Sequence, residues 1–477
     1  MIKKISENII KIIFCIFTLV ILILFNATII INDKSWPFII LSLVLIVLLL
    51  FIFLYWVKYY KEIFIFSLIL GHIFIYRVNV SIAALLSLLL ILFYITFQDN
   101  TKYFNELKLP KFLKKNLILL VIAVAISGIF SRYYSVFSLI NTFFYLTYVL
   151  SGYIFFKSIK NYLDIERLLY VFILMTFVGG ITKFVGILIY GMIRGIGIAE
   201  FFYMEYAPIA LLMIFFLYFV NDKPKLLMIL SFIVILISMI LDQSRFAWLG
   251  FTLSMIYGCF VCYRYSFNFR KFLKDKLFAI VIFFLIIVSL IYIFNLDKII
   301  VGRVSNISFN FFDQKEESTS GSFIENSLES RIMIWVTAFN AFKHNILTGV
   351  GYNQFAFVSE DYNILPQILF ILYVKNLDAH TTFLNYLSET GIIGFLSFFA
   401  YMVTAFVLSF KSIKLSKDDW LKISLTLNIL MFYLFVDCIY SGNFTFGPSA
   451  YLIHLIIFMV IANYVLLKTN VIKNIHK

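Results

Sequence analysis

The chain has 477 residues, of which 63% are hydrophobic, 19% are aromatic and only 13% are charged. Soluble domains are about 45–50% apolar and about 25% charged, so a water-soluble core cannot bury this apolar excess. The composition therefore excludes soluble enzymes and disordered proteins and makes the bilayer the solvent. Helical bundles and closed barrels are the structures that span a bilayer. The long apolar runs lack a period-2 alternation, which indicates helices.

The sequence predicts an all-α polytopic membrane protein with about 12–14 transmembrane helices. Only Arg77, Val78 and Asn79 separate the third and fourth apolar segments, so the count is least certain there. The fourteen apolar segments are 12–31, 38–57, 63–76, 80–97, 116–131, 136–156, 168–192, 206–220, 226–241, 247–263, 277–295, 382–410, 423–440 and 450–467.

We expect one integrated membrane domain in three parts. Residues 1–295 form an N-terminal bundle of about eleven spans, and its basic first residues precede an uncleaved first span. Residues 296–379 form one long outer loop with an amphipathic helix, and residues 380–477 hold the C-terminal spans. Such a long loop is unusual in a compact domain unless it is functional.

The net charge of +14 is explained by membrane topology rather than by nucleic-acid binding. With the N-terminus in the cytoplasm, the inner segments hold 27 Lys and Arg and the outer segments hold 11. Six of those 11 lie in the long loop, which is too long to count in the positive-inside rule. The pattern predicts that both termini are cytoplasmic and that the loop is periplasmic. The inner segments are 1–11, 58–62, 98–115, 157–167, 221–225, 264–276, 411–422 and 468–477.

The arginines lie mostly in the outer segments of this topology, whereas the lysines lie mostly in the inner segments. Six of the nine arginines fall outside, but only five of the thirty lysines do. The planar guanidinium binds phosphate oxygens bidentately and stays charged when it is partly buried. The set therefore indicates a site for an anionic head group, although each arginine alone could simply anchor a helix end by snorkelling. The outer arginines are Arg77, Arg132, Arg194, Arg245, Arg303 and Arg331.

The long loop contains several candidate elements. Residues 313–330 are polar and acidic and are expected to be mobile, and residues 331–343 are compatible with a helix. That helix could lie in the membrane interface or could be an ordinary packed loop helix. Glycines at 349 and 351 then end it, and the apolar run 364–374 is too short to span, so it is re-entrant or caps a site.

His380 precedes the twelfth apolar segment and is predicted to lie at a helix N-terminus at the outer surface. The positive end of a helix favours the neutral imidazole, which can accept a proton. Asp378 could cap the helix or orient the ring. The alternative is a histidine that merely satisfies its own helix end. His344 is a second loop candidate, whereas His72 and His454 are interpreted as core residues.

No residue pattern predicts a metal or cofactor site. Cys259 and Cys262 form a C-x-x-C without a second ligand pair, and core packing explains them best. No spacing matches a zinc site, a serine triad or a P-loop. Asp437, Glu389 and Lys183 lie in or near spans, where ionisable groups are functional candidates unless internal pairing explains them.

The loop resembles the core of the O-antigen ligase and polymerase superfamily. The resemblance rests on the run from Glu329 to Phe355, with Arg331, Trp335 and the two glycines, and on Asp378-Ala-His380 followed by Glu389-Thr-Gly391-Ile-Ile-Gly394. His380 and Gly391 give His, ten residues, Gly, and Arg245 and Leu249 give Arg, three residues, Leu. No outer arginine gives Arg, ten residues, Gly, which favours a ligase over a polymerase.

The resemblance implies a membrane-embedded glycosyltransferase in the bacterial cytoplasmic (inner) membrane. Such enzymes take a glycan from undecaprenyl diphosphate on the outer face, without a metal or nucleotide cofactor. Ligases transfer it to a lipid A-core acceptor, and polymerases transfer it to another lipid-linked repeat unit. The expected partners are therefore the lipid-linked glycan, its glycan or lipid A-core acceptor and membrane lipids, and not nucleic acid.

The resulting hypothesis gives each site residue a role. Arg245 and Arg331, with help from Arg194, hold the diphosphate and stabilise it as it leaves. His380 takes the proton of the acceptor hydroxyl, which attacks the anomeric carbon with inversion. The alternative from another class is a lipid-linked oligosaccharide transporter (flippase), which needs a central polar cavity and pseudo-repeats that the sequence does not display.

Overall fold

The protein is helical throughout the part of the chain that the structure describes, and this part contains no strand. The structure is a computed structural model, and it describes Asn105 and residues 107–131, 135–190, 203–220, 226–241, 244–266, 269–271, 274, 327–441 and 447–475. The predicted all-α polytopic class is confirmed. The apolar segments between residues 12 and 97 and at 277–295 lie outside the described residues.

Six of the described helices precede the long loop, and each overlaps a predicted apolar segment. Helix α4 continues directly into a six-residue π-helical segment, Ile214–Phe219. The helices are α1 (Lys111–Ile129), α2 (Ser135–Ser158), α3 (Tyr162–Tyr190), α4 (Tyr203–Met213), α5 (Leu226–Leu241) and α6 (Arg245–Tyr265).

Six further helices lie in the described residues of the loop and the C-terminal part. The loop holds α7 (Ser327–His344), α8 (Phe355–Val358), a 3₁₀ turn (Ser359–Tyr362) and α9 (Gln367–Tyr373). The C-terminal spans are α10 (Thr382–Leu415), α11 (Asp418–Tyr440) and α12 (Gly447–Ile475).

Four of the described helices are long and apolar enough to cross a membrane. They are Lys111–Ile129, Thr382–Leu415, Asp419–Ile439 and Ala450–Thr469. Within its apolar window α12 is 89% buried, which makes it a central helix of the bundle. Helix α10 packs against α1, α11 and α12, and α12 also packs against α2. A helix that is apolar all round, as α12 is, requires protein neighbours on all sides or lipid.

The described half of the long loop forms a small apolar core of its own. Helix α7 buries Ile334, Ala338 and Ala341, which are spaced along one helical face. They pack with Phe355 and Phe370 from α8 and α9. The structure therefore favours the packed loop helix over the interfacial one. The helix begins at Ser327, so the last four residues of the segment expected to be mobile are helical.

The loop enters a break in helix α10. Gly391 has a φ of 67°, outside the helical range, and a Cβ there would lie 2.4 Å from the carbonyl oxygen of Leu347. The Val350 N–H donates to Ser388 O at 2.9 Å, and Ile392 N–H donates to Ile346 O at 2.8 Å. The left-handed φ and the close backbone approach both require a glycine, because any side chain would collide. The break thus joins the loop to the membrane helix.

Candidate active site at the start of helix α10

Helix α10 begins where helix α11 ends. The backbone N–H of Thr382 donates to Ser441 O at 2.8 Å, and its hydroxyl donates to the same oxygen at 2.6 Å. The Thr381 hydroxyl donates to Cys438 O at 3.1 Å. The unpaired donors of one helix end therefore meet the unpaired acceptors of the other. This junction fixes the segment that carries His380.

His380 lies at a helix N-terminus, as predicted, two residues before the first residue of α10. Its location at the outer surface stays a prediction. Its Nδ1 lies 2.6 Å from Oδ1 of Asp378, and its backbone N–H donates to the same oxygen at 3.2 Å. The φ of His380 is 49°, which turns the backbone so that ring and N–H reach one carboxylate. Thr381 is the N-cap residue, so of its two predicted roles Asp378 takes the orientation of the ring.

Asn385 holds the same turn from inside α10. Its Oδ1 accepts the Ala379 N–H at 2.8 Å, and its side chain also hydrogen-bonds Asp378. Asn385 is buried, whereas the Asp378 and His380 side chains are each 37% exposed. The turn is therefore anchored on its inner side while the imidazole remains accessible.

Asp378 is ionised at neutral pH. Burial raises the pKa of its carboxyl, but the hydrogen bonds and positive charge offered by His380 outweigh burial, so the pKa lies below its ordinary value. An ionised carboxylate at Nδ1 selects the tautomer with hydrogen on Nδ1. The Nε2 nitrogen then carries the lone pair and can accept a proton.

Arg331 lies on α7 in the field of two carboxylates. Burial lowers the pKa of its guanidinium to about 10, while the charges of Asp378 and Asp437 act in the opposite direction. Arg331 is therefore still cationic at neutral pH. Asp378 contacts His380, and its charge also acts on Arg331, so the same carboxylate influences both of these predicted residues.

Asp437 is a functional candidate that the sequence did not place in the site. It lies near the end of α11 and is only 3% exposed. Its side chain hydrogen-bonds Ser441, while its Oδ2 has no hydrogen-bond partner among the described residues. The sequence feature that marked Asp437 as a candidate is a carboxylate inside a predicted apolar span. Only the fold brings its charge close enough to act on Arg331.

The two other predicted arginines are less fully described. Arg245 is the first residue of α6, whose N-cap Ser244 accepts the Ala247 N–H at 3.4 Å. Its side chain and the whole of Arg194 lie outside the described residues. Their convergence with Arg331 and His380 remains a prediction.

Internal pairing explains two further candidates. The buried Glu389 carboxylate accepts the N–H groups of Asn353 at 2.9 Å and Phe355 at 3.3 Å. His344 places Nδ1 2.9 Å from Asn340 O within its own helix. His454 is a fully buried core residue, in accordance with its interpretation. Lys183 and His72 have no described side chain.

The fold and site together define an all-α polytopic membrane protein with a histidine, arginine and carboxylate cluster at one end of its helices. Residues 230–399 match the family model described as O-antigen ligase. This match supports membership of the chain in the O-antigen ligase superfamily. It includes Arg245, Arg331 and His380, whereas Asp437 lies beyond it. A search of curated proteins gave no match.

Proposed function

We propose that the protein transfers a glycan from undecaprenyl diphosphate to an acceptor hydroxyl, in the manner of an O-antigen ligase. The observation that carries the proposal is the carboxylate of Asp378, which contacts the His380 ring and acts on the Arg331 charge. A proton acceptor and a phosphate-binding cation are the two groups that this reaction needs side by side. The family match supports glycosyl transfer of the ligase or polymerase type.

His380 acts as the general base. Its Nε2 takes the proton of the acceptor hydroxyl as that oxygen bonds to the anomeric carbon. Asp378 keeps hydrogen on Nδ1 and stabilises the imidazolium that forms. The proton then leaves His380 for solvent, which the partial exposure of the ring allows.

Arg331 stabilises the leaving group. The bond between the anomeric carbon and the phosphate oxygen breaks, and its electron pair stays on the diphosphate. The guanidinium, together with Arg245 and Arg194, offsets this developing negative charge. Attack from the face opposite the diphosphate inverts the anomeric carbon. The reaction so written uses no metal or nucleotide.

The acceptor decides between two related activities. We favour a lipid A-core acceptor, because no outer arginine carries the Arg, ten residues, Gly pattern of some polymerases. In a polymerase the acceptor is another lipid-linked repeat unit. The reaction lies at the outer face of the cytoplasmic membrane, with both termini in the cytoplasm, as the lysine distribution indicates.

The proposal is tested by reconstituting the full-length protein with a lipid-linked diphosphate glycan and an acceptor. His380→Ala should reduce turnover by about 10²–10⁴-fold, because the general base is lost. Arg331→Lys, Arg245→Lys and Arg194→Lys keep the charge but lose the planar fork, and each should reduce turnover. Near-wild-type turnover in all four variants would refute the assignment.

The matched control for these variants is Lys375→Ala, which removes an exposed loop cation paired with Glu360 and should leave turnover unchanged.

Two further measurements distinguish the alternative functions. Deletion of the gene should leave surface glycan unattached while lipid-linked polymer accumulates. Single repeat units on the acceptor would instead indicate a polymerase. Transport of lipid-linked glycan without transfer would support the flippase alternative.

A further inference from the structure

A cleft lies between helices α1, α10 and α12, at the end of the bundle opposite the candidate active site. Its volume is about 580 Å³. The start of α1 and the later turns of α10 and α12 form its walls. The catalytic proposal uses none of these residues. The lining of the cleft includes Lys108, Phe112, Val407, Lys411, Val465 and Lys468.

Three lysines from three separate segments line this cleft. Lys108 precedes α1, Lys411 lies near the end of α10, and Lys468 lies in α12. All three are exposed, and no described carboxylate lines the cleft beside them. Three cations without a facing anion create a positive potential that favours an anionic ligand.

The first turn of α1 adds to this potential. Pro110 is the N-cap residue, and it supplies no side-chain cap for the helix. The first N–H groups of α1 are therefore left without an intrahelical acceptor. Because Pro110 and Phe112 line the cleft, these donors and the positive helix end border the same space as the lysines.

The remaining walls are apolar and remain accessible. Phe112 is 63% exposed and Val407 is 44% exposed, while Leu113 and Leu408 form a buried floor. A free phosphate would gain nothing from such walls, whereas acyl chains would cover them. The combination of a basic rim and apolar walls therefore fits a lipid with an anionic head group.

The segments that carry the lysines were all predicted to be cytoplasmic. Residues 98–115, 411–422 and 468–477 are inner segments of the topology, and the fold brings the three together at one end. The long loop meets the opposite ends of these helices, at Ser131 and the start of α10. In the predicted topology, the cleft therefore lies at the level of the inner leaflet.

We propose that this cleft binds an anionic diacyl phospholipid of the inner leaflet, with its phosphodiester between Lys108, Lys411 and Lys468 and its acyl chains along Phe112, Val407 and Val465. The bound lipid holds α1, α10 and α12 together at the end remote from the reaction. This site is independent of the glycosyl transfer proposed above.

The test measures lipid binding to the purified full-length protein by native mass spectrometry. Delipidated protein is titrated with phosphatidylglycerol and, separately, with zwitterionic phosphatidylcholine. A basic residue near an anionic head group strengthens binding roughly fivefold. The triple variant K108Q/K411Q/K468Q should therefore bind phosphatidylglycerol on the order of a hundredfold more weakly than wild type. Its binding of phosphatidylcholine should change little.

The matched control is K114Q/K115Q/K414Q. It removes the same charge from exposed positions at the same end of α1 and α10, but these residues do not line the cleft. It should bind phosphatidylglycerol within about twofold of wild type. Equal losses in both triple variants would show general surface attraction and overturn the proposal. So would equal binding of the two lipids by wild type.

A displacement experiment and binding measurements on single variants complete the test. Glycerol 3-phosphate, which has the charge but no acyl chains, should not displace the bound lipid, and efficient displacement would indicate a soluble anion site instead. If the triple variant fails to fold, the single variants K411Q and K468Q are measured, each with a roughly fivefold loss expected. Wild-type affinity in both single variants would overturn the proposal.

Discussion

Oδ1 of Asp378 lies 2.6 Å from Nδ1 of His380 and also accepts the His380 backbone N–H. The two residues are separated by Ala379, whose own N–H is held by Asn385. The imidazole therefore has a fixed orientation and a fixed tautomer before any substrate is bound. A base prepared in this way does not have to reorganise during proton transfer, which is the reason to place it at the reacting hydroxyl.

Asp378→Asn should reduce turnover while leaving substrate affinity nearly unchanged. The amide can no longer stabilise the imidazolium, and it can donate to Nδ1 and so reverse the tautomer. The expected loss lies between about tenfold and the 10²–10⁴-fold expected when the base itself is removed. Steady-state kinetics of the reconstituted enzyme measure it. Asp361→Asn, an exposed loop change, is the control, and equal effects of both changes would contradict the role.

Asp378→Asn should also change how the thermal stability of the protein depends on pH. The pKa of Asp378 is lower in the folded protein than in the unfolded chain, so its ionised form stabilises the fold above the unfolded value of about 3.9. That stabilisation is lost as the pH falls through the lower, folded value. Asp378→Asn should therefore unfold at a lower temperature than wild type at pH 6–7, and the difference should shrink as the pH falls below the unfolded value. A difference that is constant with pH would contradict the prediction.

Asp437 and Arg331 should act as a unit. Asp437 is a buried carboxylate whose charge acts on the guanidinium, and without it Arg331 loses one of the two carboxylate charges that favour its cationic form. Asp437→Asn should reduce kcat about tenfold or more, and the double variant with Arg331→Gln should be little worse than Arg331→Gln alone. Independent, additive losses would show that the two residues do not cooperate. Asp419→Asn, on the exposed side of α11, is the control.

The sequence predicted the elements of this site better than their assembly. Long apolar runs gave the helices, because a bilayer requires internally paired backbone, and His380 was correctly placed just before a helix. The role of Asp437 could not be read from the sequence, since it lies 106 positions after Arg331. Only the junction between the end of α11 and the start of α10 brings its charge close enough to act on Arg331. A buried acidic residue in a span is equally consistent with internal pairing, as Glu389 demonstrates.

The family pattern of His380 and Gly391 has a structural explanation in the break of α10. Gly391 is needed for a left-handed φ and for the approach of the Leu347 carbonyl, so its role is to seat the loop rather than to touch substrate. This also explains why a glycine separated from the histidine by ten residues carries information. It marks the place where the loop crosses the helix that begins beside the base.

Gly391→Ala should therefore lower the stability of the folded protein without acting directly on the catalytic step. A left-handed φ costs a non-glycine residue about 1–2 kcal/mol, and the new Cβ would also collide with the Leu347 carbonyl oxygen. Thermal unfolding in detergent should show a lower midpoint, while any folded fraction should keep a KM close to that of wild type. Leu396→Ala, a lipid-facing change further along α10, is the matched control and should have a much smaller effect. A Gly391→Ala protein with wild-type stability would mean that the loop does not need this break, and the placement of His380 would then require another explanation.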